Sequence, residues 1–297
     1  MKKTMMLWLA LVLAATLAAQ AESRDTAGAI LHGQGLLWKI EKPGVATSYI
    51  FGTMHVSDAR VTQLPAPVEQ AFSESQQFAM EMLPGPRAME IISQGSYFQD
   101  GRNLKAVMQA DDFQRLSQLM QQQLQLPEKT FTNLRPWVVL MLLIMPPDTN
   151  SNSVLDVVLY QRAQQRGIDL YGLETAQQQL DAMESLSLDE QIWLLNKTVH
   201  RFPQIASEMQ QMTTLYLQRD LAAVLALELA QMDYASDIDD KFLYNLLEKR
   251  NHYMAQRIQA LLQKEKVFVA IGALHLPGET GVLHLLEQQG FKVTAVY

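Results

Sequence analysis

The chain has 297 residues, with 31 acidic against 24 basic side chains and no cysteine. A formal charge of −7 at pH 7 argues against nucleic acid or an anionic membrane surface as a partner, because both select a basic face. Without cysteine there is no disulfide, thiolate nucleophile or Cys-ligated zinc, so the fold rests on its apolar core.

Residues 1–21 read as a secretory leader. Lys2 and Lys3 precede an uncharged apolar run from Met5 to Ala18, and Ala19-Gln20-Ala21 supplies small residues for cleavage. The run is shorter than the roughly 20 residues that span a bilayer. The expectation is therefore an exported protein, retained in the periplasm, whose residues 22–297 form a single domain. Loss of the two lysines takes its formal charge from −7 to −9. No later run is long enough to span a membrane, since the apolar stretch from Val138 to Met145 stops at Pro146-Pro147.

Short runs rich in β-branched and aromatic residues, several bounded by Gly or Pro, predict strands at 36–40, 48–51, 77–82, 168–173, 267–271 and 292–296. The first two flank Lys42-Pro43-Gly44 and read as an antiparallel hairpin. Helical spacing of Leu and Met predicts helices at 65–75, 111–123, 136–145, 154–166, 189–199, 215–232 and 239–263. Together these give an α/β fold: a mixed central sheet with helices packed around it and a large helical insertion over roughly residues 88–263.

Two of the six histidines share a setting at opposite ends of the chain. Ser48-Tyr49-Ile50-Phe51 leads into Gly52-Thr53-Met54-His55, and Val267-Phe268-Val269-Ala270-Ile271 leads into Gly272-Ala273-Leu274-His275. A Gly at a strand's end permits a tight turn or a close backbone approach. It would deliver each imidazole at the carboxyl end of the sheet, where open α/β folds bind ligands. Glu81 follows Phe78-Ala79-Met80, and Glu174 follows Leu170-Tyr171-Gly172-Leu173. A carboxylate placed after an apolar strand must be paired, hydrogen-bonded or metal-bound if it is buried. Two His and two Glu at four strand ends suit a divalent metal such as Mn2+, Co2+ or Zn2+. The same residues also serve as structural hydrogen-bonding groups in many proteins.

The sequence resembles the TraB/GumN family, which includes the Tiki proteases, over essentially all of its length after the leader. The resemblance runs through Leu37-Trp38-Lys39-Ile40, Tyr49-Ile50-Phe51-Gly52-Thr53-Met54-His55, Phe78-Ala79-Met80-Glu81, Leu134-Arg135-Pro136-Trp137, Tyr171-Gly172-Leu173-Glu174-Thr175, Glu248-Lys249-Arg250-Asn251 and the stretch from Gly272 to Gly281. It implies a metal-dependent peptidase-like site that uses His55 and His275, Glu81 as ligand or general base, and Arg135. Glu174 joins it as base or supporting partner. The chain departs from the family at Ser153-Val154-Leu155-Asp156, where related chains often carry Gly before the Asp, so Asp156 is left unassigned.

Arg250 and Asn251, inside a long helix, read as structural residues. Glu279 reads as a helix-start acid, and His32, His200, His252 and His284 as surface or core residues. The expected function is a metal-dependent hydrolase acting on a peptide or small-molecule substrate. The alternatives are an extracytoplasmic metal- or haem-binding protein without catalysis, and an interaction protein with a vestigial site.

Overall fold

A computed structural model describes residues 30–145, 153–230, 232 and 236–297, and the expected leader lies outside them. Six strands form one sheet: β1 (Leu37–Glu41), β2 (Ser48–Thr53), β3 (Gln77–Met80), β4 (Asp169–Gly172), β5 (Val267–Gly272) and β6 (Lys292–Ala295), in the order β4-β3-β5-β2-β1-β6. The strands β4, β3, β5 and β2 run parallel, whereas β1 is antiparallel to both β2 and β6. The sheet is mixed, as expected.

Burial explains the order. Every residue of β3 is buried, as is every residue of β5 before Gly272, which is the pattern of a central strand covered on both faces. Strands β4 and β6 are only partly buried and lie at the edges. Beneath the centre, Phe78 and Phe268 stack with ring centroids 6.5 Å apart, and Phe72 meets Phe268 edge-on at 5.3 Å.

The main helices are α1 (Ala66–Glu74), α2 (Pro86–Gly95), α3 (Ala110–Gln123), α4 (Pro136–Ile144), α5 (Leu155–Arg166), α6 (Ala176–Met183), α7 (Leu188–Leu217), α8 (Leu221–Leu229), α9 (Asp237–Leu243), α10 (Lys249–Leu262) and α11 (Val282–Gln288). Buried side chains form two clusters. One surrounds the sheet and takes in α1, α5, α10 and α11, and the other lies among α3, α4 and α7. Among the described residues no helix is long and apolar enough to cross a membrane.

Three helix boundaries differ from the expectation. The helix expected to end at Val199 continues to Leu217 through Pro203. Proline removes one backbone donor, and the helix packs along α4 and α3. The helix expected over 215–232 is broken at Arg219, whose φ is 62°, and restarts where the Asp220 carboxylate accepts from the Ala223 N–H at 2.9 Å. The helix expected over 239–263 contains a π-helical turn at Tyr244–Glu248, directly before the residues that reach the sheet.

Candidate metal centre

All four expected strand-end residues emerge at the carboxyl end of the parallel strands. Thr53 on β2 lies opposite Gly272 on β5, so the two Gly-x-x-His turns leave the sheet side by side. His275 sits in a single 3-10 turn, Ala273–His275, directly after β5. Glu81 directly follows β3, the other neighbour of β5, and Glu174 comes two residues after β4.

Both glycines stand at close approaches. A Cβ on Gly52 would lie 2.8 Å from Leu276 Cδ1 and 3.1 Å from Ala273 Cα, so the second turn packs where a side chain would stand. A Cβ on Gly272 would lie 3.1 Å from Glu81 Oε1 and 3.4 Å from His275 Cδ2. Its φ of −51° is open to any residue, so space rather than backbone freedom selects glycine there.

The tautomer of His275 follows from its neighbours. Asn251 Nδ2 donates to the Thr280 carbonyl at 2.9 Å, which turns Asn251 Oδ1 toward His275 Nδ1 at 2.6 Å. That amide oxygen only accepts, so Nδ1 carries the proton and the Nε2 lone pair is free. Nε2 faces Glu81 Oε1 at 3.8 Å, and the His275 side chain is 5% exposed. Burial pushes the imidazole down to about 4 despite the opposing pull of Glu81, so it is neutral at pH 7.

Glu81 is held by both oxygens. Oε1 accepts from the Gly272 N–H at 2.7 Å and Oε2 from Arg250 Nη2 at 2.7 Å. Burial pushes its carboxyl up, but the facing positive groups, His275 when protonated, Arg250 and His55, together with the Gly272 amide, reverse this and hold it well below the usual carboxylate range. Arg250 also donates to Glu174, through Nε at 3.0 and 3.1 Å and through Nη2 at 2.6 Å. Its Nη1 reaches back to the Leu246 carbonyl in the π-helical turn at 3.1 Å.

His55 is fixed in the same manner by a different partner. Its Nδ1 donates to Asp156 Oδ2 at 2.6 Å, and the Thr53 hydroxyl donates to Asp156 Oδ1 at 2.5 Å. One carboxylate from the first turn of α5 thus clamps the whole Gly-x-x-His turn. The buried Tyr216 hydroxyl donates to the Gly52 carbonyl at 2.8 Å and anchors the turn's start. The Asp156 carboxylate raises the His55 imidazole to about 9.

This donor set fits a divalent cation on two counts. Metal-bound histidines commonly give their second ring nitrogen to an oxygen acceptor, and here Asp156 and Asn251 do so for both. Glu81, Asp156 and Glu174 also bring three carboxylates to a cluster whose permanent cation is Arg250, so once His55 gives up its proton two positive charges would neutralise it. The cluster is open: Glu81 and His275 approach closely, but the His55 nitrogens do not come within 4.8 Å of both.

Arg135 makes other contacts. It forms a 2.9 Å ion pair with Glu184 and stands over the Phe98 ring at 5.8 Å, and neither partner belongs to the cluster. The guanidinium against the carboxylates is that of Arg250. Asp156 and Asn251 were likewise left without a site role by sequence reasoning, although a readable signal existed. Asp156 shares a buried stripe with Leu159 and Ala163, and Arg250 and Asn251 share one with Met254 and Ile258. A charge at helical spacing on an apolar face needs a partner across the core.

A family model described as TraB/PrgY/gumN family matches residues 36–295. Among curated proteins the chain is 27% identical to Metalloprotease TIKI1 of Danio rerio over 308 residues, covering 86% of this chain and 62% of that protein. It is 25% identical to Metalloprotease TIKI2 of Danio rerio, covering 86% of this chain and 60% of that protein. Against Metalloprotease TIKI1 of Homo sapiens the identity is 26%, over 86% of this chain and 61% of that protein. The chain therefore spans about three-fifths of the length of these relatives. No solved structure matches. With a match that takes in every strand of the sheet and the whole His/Glu cluster, the chain belongs to the TraB/PrgY/gumN family.

Proposed function

We propose that the chain is a metal-dependent hydrolase of the peptidase or amidase type, acting on a peptide or small amide in the periplasm. The observation that carries this reading is the pair of imidazoles on neighbouring strand ends, each with Nδ1 engaged by an oxygen acceptor, beside Glu81; the Nε2 lone pair of His275 is free, and His55 would give up its Nε2 proton when a cation binds. The name metalloprotease, borne by the relatives, supports a peptide substrate.

In this reading His55, His275 and Glu81 hold one Mn2+, Co2+ or Zn2+ ion. Bound there, the ion would act as a Lewis acid toward the scissile carbonyl and lower the pKa of water. The chain's own residues hold and orient the site. Asp156 and Asn251 hold the two rings by Nδ1, which leaves Nε2 as the nitrogen that would meet the ion. Glu81, with its carboxyl held well below the usual range, has little proton affinity at neutral pH and acts as a ligand rather than as the base. Glu174, with both oxygens on Arg250 and its side chain 1% exposed, positions that guanidinium. Arg250 orients Glu81 through Nη2 and would place a fixed positive charge near where negative charge develops.

The test is cleavage of pooled quenched-fluorescent peptides by the purified chain. Cleavage should vanish after metal depletion and return with one of Mn2+, Co2+ or Zn2+. Cleavage indifferent to chelation overturns the metal mechanism, whereas metal binding without cleavage of any pool moves the reading to a metal- or haem-binding protein.

A further inference from the structure

Outside the Gly-x-x-His turns, three other side chains converge. His32, His284 and Glu287 each offer one ligand atom, a ring nitrogen or a carboxylate oxygen, and these three atoms all lie within 4.8 Å of one another, the one such trio among the described residues. Glu287 Oε2 is 3.0 Å from His32 Nε2 and 3.3 Å from His284 Nδ1. A tetrahedral ion with bonds of about 2.0–2.1 Å sets its ligand atoms about 3.3–3.4 Å apart. Both separations fall within a few tenths of an ångström of that spacing.

The His32 nitrogen is the telling atom. It is shut off from solvent and close to Glu287 Oε2, yet it is not aligned to hydrogen-bond with any group. A cation between the two would satisfy both. The ring stands edge-on to Trp38, with centroids 5.0 Å apart and planes at 86°, which fixes its direction. Its backbone lies in the left-handed region with φ 55°, uncommon for a residue with a Cβ although His is among those that adopt it most readily. His284 and Glu287 stand three residues apart on α11, so one helix face presents two of the ligands together.

We propose that His32, His284 and Glu287 form a second divalent-cation site, suited to Zn2+, that staples the segment before β1 to the last helix. Two imidazoles and one carboxylate are a ligand set that zinc accepts, with a fourth position left to water. The side chains of His284 and Glu287 are 27% and 35% exposed, so ions and water have access. The staple lies against the first site's own turn, because the Gly278 N–H, just after His275, donates to the Leu31 carbonyl at 2.8 Å. Ala222 N–H to Gly33 at 2.9 Å and Gly35 N–H to Arg219 at 2.9 Å fasten the rest of this segment by backbone alone. A cation at His32 would add a side-chain link to the last helix, closing a loop that takes in most of the chain and restricting the unfolded state accordingly.

Calorimetric titration of the metal-free chain with Zn2+ alone tests the site. His32→Ala/His284→Ala should bind one equivalent fewer than the wild type, and Glu287→Gln should bind that equivalent at least about 100-fold more weakly, beyond the effect of losing a supporting partner. His55→Ala/His275→Ala, which removes the first proposed site, should retain one equivalent, and Zn2+ should still raise its melting temperature. Equal stoichiometry and affinity in the wild type and in His32→Ala/His284→Ala overturns the site. So does a folded His55→Ala/His275→Ala protein that binds no Zn2+, a readout that stands even if His32→Ala/His284→Ala does not fold. Failure of the Gly-x-x-His reading gives a different pattern, in which the wild type and His55→Ala/His275→Ala bind alike.

Discussion

Asp156 Oδ2 accepts a 2.6 Å hydrogen bond from His55 Nδ1, joining the first turn of α5 to the loop after β2. Asn251 stands in the same relation to His275 from α10. Because each partner fixes which nitrogen is free, Asp156→Ala and Asn251→Ala should each weaken binding of the activating metal about 10- to 100-fold while leaving the circular dichroism spectrum unchanged. Unaltered affinity in both variants would show that the ring orientations do not depend on these partners.

Arg250 and Glu174 form a pair with side chains 10% and 1% exposed, so each is costly to leave alone. Arg250→Met strands two carboxylates, Glu81 and Glu174, and should lower stability by about 3–5 kcal/mol in urea unfolding. Glu174→Gln keeps the shape and one acceptor oxygen and should cost less. A loss below about 1 kcal/mol for Arg250→Met would mean that water already reaches this pair.

The two motif glycines should fail differently. Gly272→Ala puts a methyl group 3.1 Å from Glu81 Oε1 with the backbone unstrained, so the protein should fold and lose turnover by about 100-fold through misplacement of the carboxylate. Gly52→Ala drives its methyl group into the backbone of the second turn at Ala273 and should lower the melting temperature. Equal melting temperatures and equal turnover for the two variants would contradict this division.

The sheet was legible in the sequence because strand signals are local. Val267 to Ile271 is apolar throughout, and a Gly closes the strand, so both its central place and the exit of His275 could be read directly. The cluster was legible only in part. His55, Glu81, Glu174 and His275 each carry their signal in the strand before them. Asp156, Arg250 and Asn251 come from helices, and which carboxylate or imidazole they meet is set by how α5 and α10 lie across the sheet. Arg135 shows the converse: a conspicuous Arg-Pro-Trp block whose guanidinium is spent on Glu184. The unbroken α7 through Pro203 and the break at Arg219 likewise follow from packing and from one left-handed residue, neither of which helical spacing reveals.

Glu228 offers a pH test away from the site. It lines a cleft of about 170 Å³ in the helical part with Leu140, Lys197 and Phe242. Burial pushes its carboxyl up, and the nearby Arg201 only partly opposes this. A folded-state pKa above the unfolded one means that its contribution is present at low pH and is lost as pH rises through the folded value. Glu228→Gln should therefore melt about 1–3 °C above the wild type at pH 8, with the gap closing toward pH 4. A gap that is constant with pH would show that Glu228 titrates normally.

The central claim is that His55 and His275 share one cation with Glu81. Anomalous diffraction from crystals of the metal-free chain soaked in Mn2+ tests it by position. The account predicts a peak within about 2.0–2.4 Å of Nε2 of both histidines and of a Glu81 oxygen, absent from His55→Ala/His275→Ala crystals. A wild-type map with no peak between these side chains, at metal concentrations that support turnover, would contradict it.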